Sequence, residues 1–239
     1  MIGLAREGGV CRLTLERPEV GNALDAASVE TMIALLDDVF ADRDLHTLVL
    51  AGAGRHFCTG FDLSDLAGAS DGDLLHRFVR IEMLLARLWH APIRTVARAH
   101  GRTFGAGADL FVCCDVRLAA PETTFAFPGA RFGLVLGTRR LAECLGVERA
   151  RRIVTEGETL GGEAALACGL ATGIATGDAL AVSAEPPVAD RETTAALRAA
   201  TRADRRDADL AALVYSAARP GLKQRIVDYR ASQQAGRRR

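Results

Sequence analysis

The sequence predicts an α/β protein, and three observations carry that prediction. Strand-like runs alternate with helical periodicities up to about residue 119; beyond about residue 137 the pattern is almost wholly helical; and 49 % hydrophobic against 25 % charged residues supply ample material for a core. Residues 9–16 alternate apolar and polar side chains, the period of a half-buried strand. Arg17-Pro18-Glu19-Val20-Gly21-Asn22 breaks the alternation with loop residues. Asp25 is placed to cap a helix running to about residue 40, whose apolar face is Val29, Met32, Ile33, Leu36, Val39 and Phe40. The continuous apolar run at residues 47–51 predicts a buried strand that opens into the Gly52-Ala53-Gly54 turn.

Residues 52–72 are rich in Gly, Ser and Asp and lack periodicity, and a loop of that length in a compact domain is usually functional or disordered. A helix over about residues 73–90 ends ahead of Pro92, and residues 93–97 return as a strand. The loop at residues 100–105 feeds a short helix over about 106–113, followed by a strand over 115–119. Pro186-Pro187 interrupts the helical last third. It divides the chain into a core, residues 1–183, and a helical region, residues 184–239. Residues 192–214 look amphipathic, with Arg198, Arg202, Arg205 and Arg206 among alanines, and are expected to cover a site or form a subunit interface.

Lys plus Arg equals Asp plus Glu, at 30 each, for a formal net charge of zero. That argues against a partner such as nucleic acid or an anionic membrane, whose recognition needs a basic excess. Arg237-Arg238-Arg239 is a local exception, read as a solvated tail. The six cysteines form no Cys-x-x-Cys pair and no zinc-like cluster with histidine, so no metal site is expected. The adjacent Cys113 and Cys114 lie in an apolar run, as buried free thiols often do. Met1-Ile2-Gly3-Leu4-Ala5 leads into charged Arg6-Glu7, unlike a secretory leader, and no apolar run approaches the roughly 20 residues that span a bilayer. A reducing, cytoplasmic location is the expectation.

Two glycine-rich loops, residues 54–63 and 100–110, each follow a predicted strand. In open α/β sheets ligands collect beyond the carboxyl ends of strands, and small residues let a substrate approach main-chain N–H groups. Either loop alone is ordinary turn chemistry, and Gly105-x-Gly107 lacks the third glycine of a dinucleotide fingerprint. Their order along the chain is more telling. Arg17-Pro18 with Asn22-Ala23-Leu24, residues 54–63, His100-Gly101 with Gly105-Ala106-Gly107, and Cys114-Asp115-x-Arg117 resemble, in sequence order, the motifs of the crotonase (enoyl-CoA hydratase/isomerase) superfamily. Phe132-Gly133-Leu134, Thr138-Arg139-Arg140-Leu141 and Ala164 with Gly169-Leu170 continue the resemblance, which covers about residues 5–176.

The resemblance implies a crotonase-like spiral of β-β-α units with a C-terminal helical region, commonly assembled as a homotrimer or dimer of trimers. It also implies a role in fatty acid metabolism. The substrate would be an acyl-CoA thioester, with coenzyme A entering as part of the substrate and no separate cofactor. Its carbonyl would sit in an oxyanion hole made by the backbone N–H groups of Phe61 and Ala106. Fixed donors there stabilise the charge of a forming enolate. Gly21, Ala23, Thr59, Gly60, Phe61, Asp62, Leu63 and Gly105 would line the coenzyme A path.

Hydratases of the family use two glutamates, and this sequence matches neither in full. Asp109 stands at the first position, three residues after Ala106 and so one helical turn below that donor. Gly129 stands at the second, after Phe127-Pro128. Asp109 and Gly129 cannot clamp a water between two carboxylates. A single carboxylate can still remove and return a proton, so double-bond isomerisation is expected ahead of hydration. The alternative is an acyl-CoA-binding, non-catalytic paralogue. His56 is a candidate acid by chemistry and a loop anchor by position. Glu82 and His76 are expected at the surface, Arg131 either in an ion pair or against an anionic acyl group, and Lys223 at the surface.

Overall fold

The computed structural model describes residues 1–175 and 185–237. Strands β1 (Ile2–Glu7) and β2 (Val10–Leu15) form a hairpin around Gly8 and Gly9, both at positive φ. β3 (Thr47–Gly52), β4 (Arg94–Ala99), β6 (Val116–Ala119) and β9 (Gly173–Ile174) add to β2 in parallel, giving the order β1-β2-β3-β4-β6-β9. β3 is central, and its first four residues are buried, as a strand covered on both faces requires. β1 carries no clean alternation because it is an edge strand exposed over most of its length, which is why the sequence pattern does not reveal it.

A second sheet, in the order β5-β7-β8, is built from β5 (Arg102–Phe104), β7 (Thr124–Ala126) and β8 (Thr159–Gly161). β4 turns through Gly101, at φ 56°, directly into β5 and then into α3 (Ala106–Val112). β6 leads in the same way into β7. β4 and β6 thus each hand the chain to a short strand of the small sheet, the β-β-α unit expected from the resemblance. These three-residue strands are too short to show a period: the sequence presents β5 as loop, and β8, like β9, interrupts the stretch beyond residue 137 that reads as almost wholly helical.

α1 (Ala26–Ala41) is capped by Asp25, whose carboxylate accepts the Ser28 N–H at 2.7 Å, and it buries Val29, Met32, Ile33, Leu36 and Val39. α2 (Asp71–Trp89) begins two residues earlier than the sequence suggests, because Ser70 and Asp73 form a reciprocal capping box. α4 (Thr138–Leu145), α5 (Val147–Glu156) and α6 (Gly162–Ala167) follow the small sheet.

The expected division at residues 183 and 184 lies outside the described residues. After it come α7 (Arg191–Thr201), α8 (Arg206–Ala217) and α9 (Leu222–Arg237), which pack back on the core. Arg198 and Arg202, polar by sequence, are largely covered: both pair with Asp115, at 3.0 Å for Arg202, and the Arg202 guanidinium lies 4.0 Å over the Trp89 ring. α9 is tied to α2 by Asp71, whose carboxylate accepts the N–H groups of Gly221, Leu222 and Lys223 at 2.8–3.1 Å. Among the described residues no helix is long and apolar enough to cross a membrane.

Candidate active site

The two glycine-rich loops are laced together by main-chain hydrogen bonds. Cys58 N–H donates to Arg102 O at 3.4 Å, and Phe104 N–H donates to Cys58 O at 2.9 Å. On the other flank Leu24 bridges the first loop: its N–H donates to Gly60 O at 2.7 Å and its carbonyl accepts the Asp62 N–H at 3.0 Å. In that parallel register Gly60 and Asp62 face Leu24, so the Phe61 N–H turns away from it. Ala106 opens α3, where a first-turn N–H has no acceptor within its own helix. Among the described residues neither the Phe61 nor the Ala106 N–H has an acceptor.

Close approach of the loops depends on glycine. Gly60 sits at φ 96°, and a Cβ there would lie 2.7 Å from Phe104 O and 3.4 Å from Ala106 N. A Cβ on Gly107 would overlap Cys58 O and lie 2.7 Å from Cys58 Cβ. Gly107→Ala is therefore expected to push the two loops apart. Its thermal midpoint should fall by several degrees, corresponding to about 1–3 kcal/mol of overpacking, and acyl-CoA affinity should fall with it. A midpoint unchanged in thermal unfolding would contradict this close packing.

Phe61 and Ala106 both line a cavity of about 150 Å³. Thr59, Gly60, Phe61, Leu63, Gly105, Ala106 and Asp109 line it, together with Gly129 and with Ile226 and Tyr229 of α9. Gly21, Ala23 and Asp62 do not line it; they brace the first loop from behind. Gly21 O accepts the Thr59 N–H at 3.0 Å, Ala23 O accepts from Arg17 at 2.6 Å, and Asp62 pairs with Arg17 at 2.9 Å. Burial works against the Asp62 charge, but hydrogen bonds from Ser64 and Arg17 outweigh it and hold its carboxyl below the ordinary value. Asn22, at φ 57°, ties the same region together by donating to Ala53 O at 2.8 Å and His56 O at 2.7 Å.

Asp109 lies one turn into α3 below Ala106, 5 % exposed, against the Cα of Gly137, where any side chain would collide with its Oδ1. Burial raises its pKa well above the ordinary 3.8, Arg140 opposes the rise and Glu82 adds to it. Among the described lining residues it is the one carboxylate. Gly129 presents no side chain.

Glu82 is not at the surface, contrary to the expectation from sequence. It is 2 % exposed and forms a two-pronged ion pair with Arg140, itself 1 % exposed, with Arg140 Nη1 donating to Glu82 Oε2 at 3.0 Å. Arg140 also meets Asp209 at 3.2 Å, and Arg139 grips the same Asp209 at 2.6 and 2.7 Å. The chain of charges ties α2, α4 and α8 together beneath the cavity. A signal existed in the sequence: Glu82 falls four residues after Phe78 and three before Leu85, on the buried stripe of α2.

The remaining candidates lie elsewhere. His76 is exposed. His56 anchors a loop, its Nδ1 accepting the Arg102 N–H at 3.1 Å, and burial with nearby Arg102 and Arg55 lowers its pKa. Arg131 is exposed and donates to Gly157 O at 3.3 Å, and among the described residues it meets no carboxylate and does not line the cavity. Lys223 is half-buried rather than fully exposed, and its Nζ donates to Ala67 O at 2.7 Å. Cys113 and Cys114 are buried free thiols, with burial pushing Cys113 up to about 12.

The chain matches the family described as enoyl-CoA hydratase/isomerase over residues 5–230. It is 35 % identical over 189 residues to the Mycobacterium tuberculosis protein named probable enoyl-CoA hydratase echA6, covering 77 % of this chain and 75 % of that one. A crystal structure from Bordetella parapertussis, assigned as an enoyl-CoA hydratase/isomerase, superimposes with a TM-score of 0.89 at 42 % identity, covering 96 % of this chain and 98 % of its own. The enoyl-CoA hydratase/isomerase from Xanthobacter autotrophicus Py2 superimposes with a TM-score of 0.83 at 25 % identity, over 99 % and 94 %.

Proposed function

The chain belongs to the enoyl-CoA hydratase/isomerase family, and from that membership we propose that it binds an acyl-CoA thioester and moves its double bond by one-carboxylate chemistry. The observation that carries the reading is that Phe61 and Ala106, whose N–H groups have no acceptor among the described residues, line a cavity in which Asp109 is the one carboxylate among the described lining residues. The thioester oxygen accepts from both donors. Ionised Asp109 takes a proton from the α-carbon of a 3-enoyl thioester, and the C–H electron pair moves onto the carbonyl as a dienolate. The two N–H groups hold the new negative charge in a cavity lined mostly by apolar side chains. Asp109 then returns the same proton to the γ-carbon, leaving the conjugated 2-enoyl thioester and a carboxylate ready for another cycle.

Burial makes Asp109 a stronger base than a solvated aspartate, which suits it to a weakly acidic carbon acid. Hydration would need a second group to hold and activate water, and Gly129 supplies none. The same glycine favours the second reading, a paralogue that binds acyl-CoA without turning it over. We extend the proposal to a homotrimer or dimer of trimers in the cytoplasm, serving fatty acid metabolism, with α9 acting as the cover of the site.

The test is to follow the conjugated enoyl-thioester absorbance with 3-hexenoyl-CoA and, separately, 2-hexenoyl-CoA. The expected result is a rise with the first and little loss with the second. Rapid loss with the second would make the enzyme a hydratase. No change with either, alongside measurable acyl-CoA binding, would favour the non-catalytic reading.

A further inference from the structure

We propose that the acyl group accepted here is uncharged and ends in a compact apolar unit of about six carbons, with a phenyl ring preferred over an alkyl chain. This rests on the acyl-CoA reading above. Away from the N–H pair the cavity is walled by Phe127, Phe132, Leu134, Leu136, Leu141 and Val154. The whole cavity, with Phe61, Ala106 and Asp109 included, has a volume of about 150 Å³, that of cavities lined by Leu, Ile and Phe that hold a benzene molecule.

Four rings that line it form one continuous wall. Phe61 stacks on Phe78 with centroids 4.4 Å apart, Phe78 on Phe132 at 6.5 Å, and Phe132 meets Tyr229 at 5.4 Å. A phenyl group gains offset or edge contacts on such a wall beyond its buried area, which an alkyl chain does not.

Charge and length are excluded by what surrounds the cavity. Among the described residues no Lys, Arg or His lines it. The nearby buried cations are already held, Arg140 by Glu82 and Asp209, and Arg77, whose guanidinium lies 4.0 Å over the Phe61 ring, by Asp65 at 2.6 Å and Asp62 O at 2.9 Å. A second carboxylate on the acyl group would lose its hydration with no partner to replace it. Ile226 and Tyr229 of α9 form the part of the wall to which we assign the length limit. That helix is fastened at its start to Asp71 and again by Arg225, which donates to Phe132 O at 2.9 Å.

The test is calorimetric titration of the full chain with saturated, non-reacting thioesters: 3-phenylpropionyl-, hexanoyl-, dodecanoyl- and succinyl-CoA, with free coenzyme A as baseline. We expect 3-phenylpropionyl-CoA to bind roughly threefold tighter than hexanoyl-CoA, and roughly tenfold tighter than succinyl-CoA, dodecanoyl-CoA or coenzyme A. Equal binding of the phenyl and hexanoyl thioesters overturns the ring preference. Dodecanoyl- or succinyl-CoA binding as tightly as 3-phenylpropionyl-CoA overturns the size or charge limit. Failure of coenzyme A and all four thioesters to bind overturns the acyl-CoA reading itself. Tyr229→Ala should open the end wall and raise dodecanoyl-CoA affinity roughly fivefold; no gain there assigns the length limit to another wall and overturns the role given to α9.

Discussion

Asp109→Asn is expected to lower turnover of the 3-enoyl thioester roughly a hundredfold, about 2.7 kcal/mol of barrier, while making the fold more stable at neutral pH. The loss follows because an amide cannot take the α-proton, and among the described cavity residues no second carboxylate takes its place. The gain follows from linkage. Burial raises the Asp109 pKa in the folded protein above its unfolded value, so the stability this group allows is full below the ordinary carboxylate range. That stability is lost as pH rises through the raised value, because the folded state must then ionise a desolvated acid or carry an extra proton. Asparagine has the same shape and no such penalty.

Thermal unfolding at about pH 5 and about pH 8 should therefore show the variant's advantage growing with pH. Wild-type turnover should climb over the same range, because the base must be ionised. A variant that keeps wild-type turnover removes Asp109 from the chemistry. A variant no more stable than wild type at about pH 8 removes the desolvation argument.

Arg140→Leu has the largest expected effect on stability. It leaves Glu82 buried without its main cation, and breaking one side of a buried pair costs about 3–5 kcal/mol, or about 10 °C in the thermal midpoint for a chain of this size. It also removes the one positive charge that opposes the raised pKa of Asp109. The rise of turnover with pH should therefore move to higher pH. The double variant Glu82→Leu with Arg140→Leu should recover most of the lost stability, because an apolar pair of similar volume needs no desolvation. A single variant as stable as wild type would show that the pair contributes little, and a double variant as unstable as the single would place the loss in packing rather than charge.

The family and most of the large elements are legible in the order of residues alone. The apolar run of β3, the Asp25-capped stripe of α1, and the two glycine loops with their neighbours are local patterns, and local backbone physics suffices to read them. The three-residue spacing from Ala106 to Asp109 also predicted one face of one helix turn, and both residues line the same cavity. Tertiary structure decided what depends on partners distant in the chain. β1 is an edge strand defined by its pairing with β2, and β5, β7 and β8 are too short to show a period. Whether Glu82 is a surface acid or the buried partner of Arg140, 58 residues away, is settled only by how α2 packs on α4. The same holds for Arg198 and Arg202 against Asp115, and for the place of Ile226 and Tyr229 of α9 in the cavity wall. A side chain's type constrains which environments it tolerates, but desolvation and pairing are properties of the assembled neighbourhood, and only the fold brings those neighbours together.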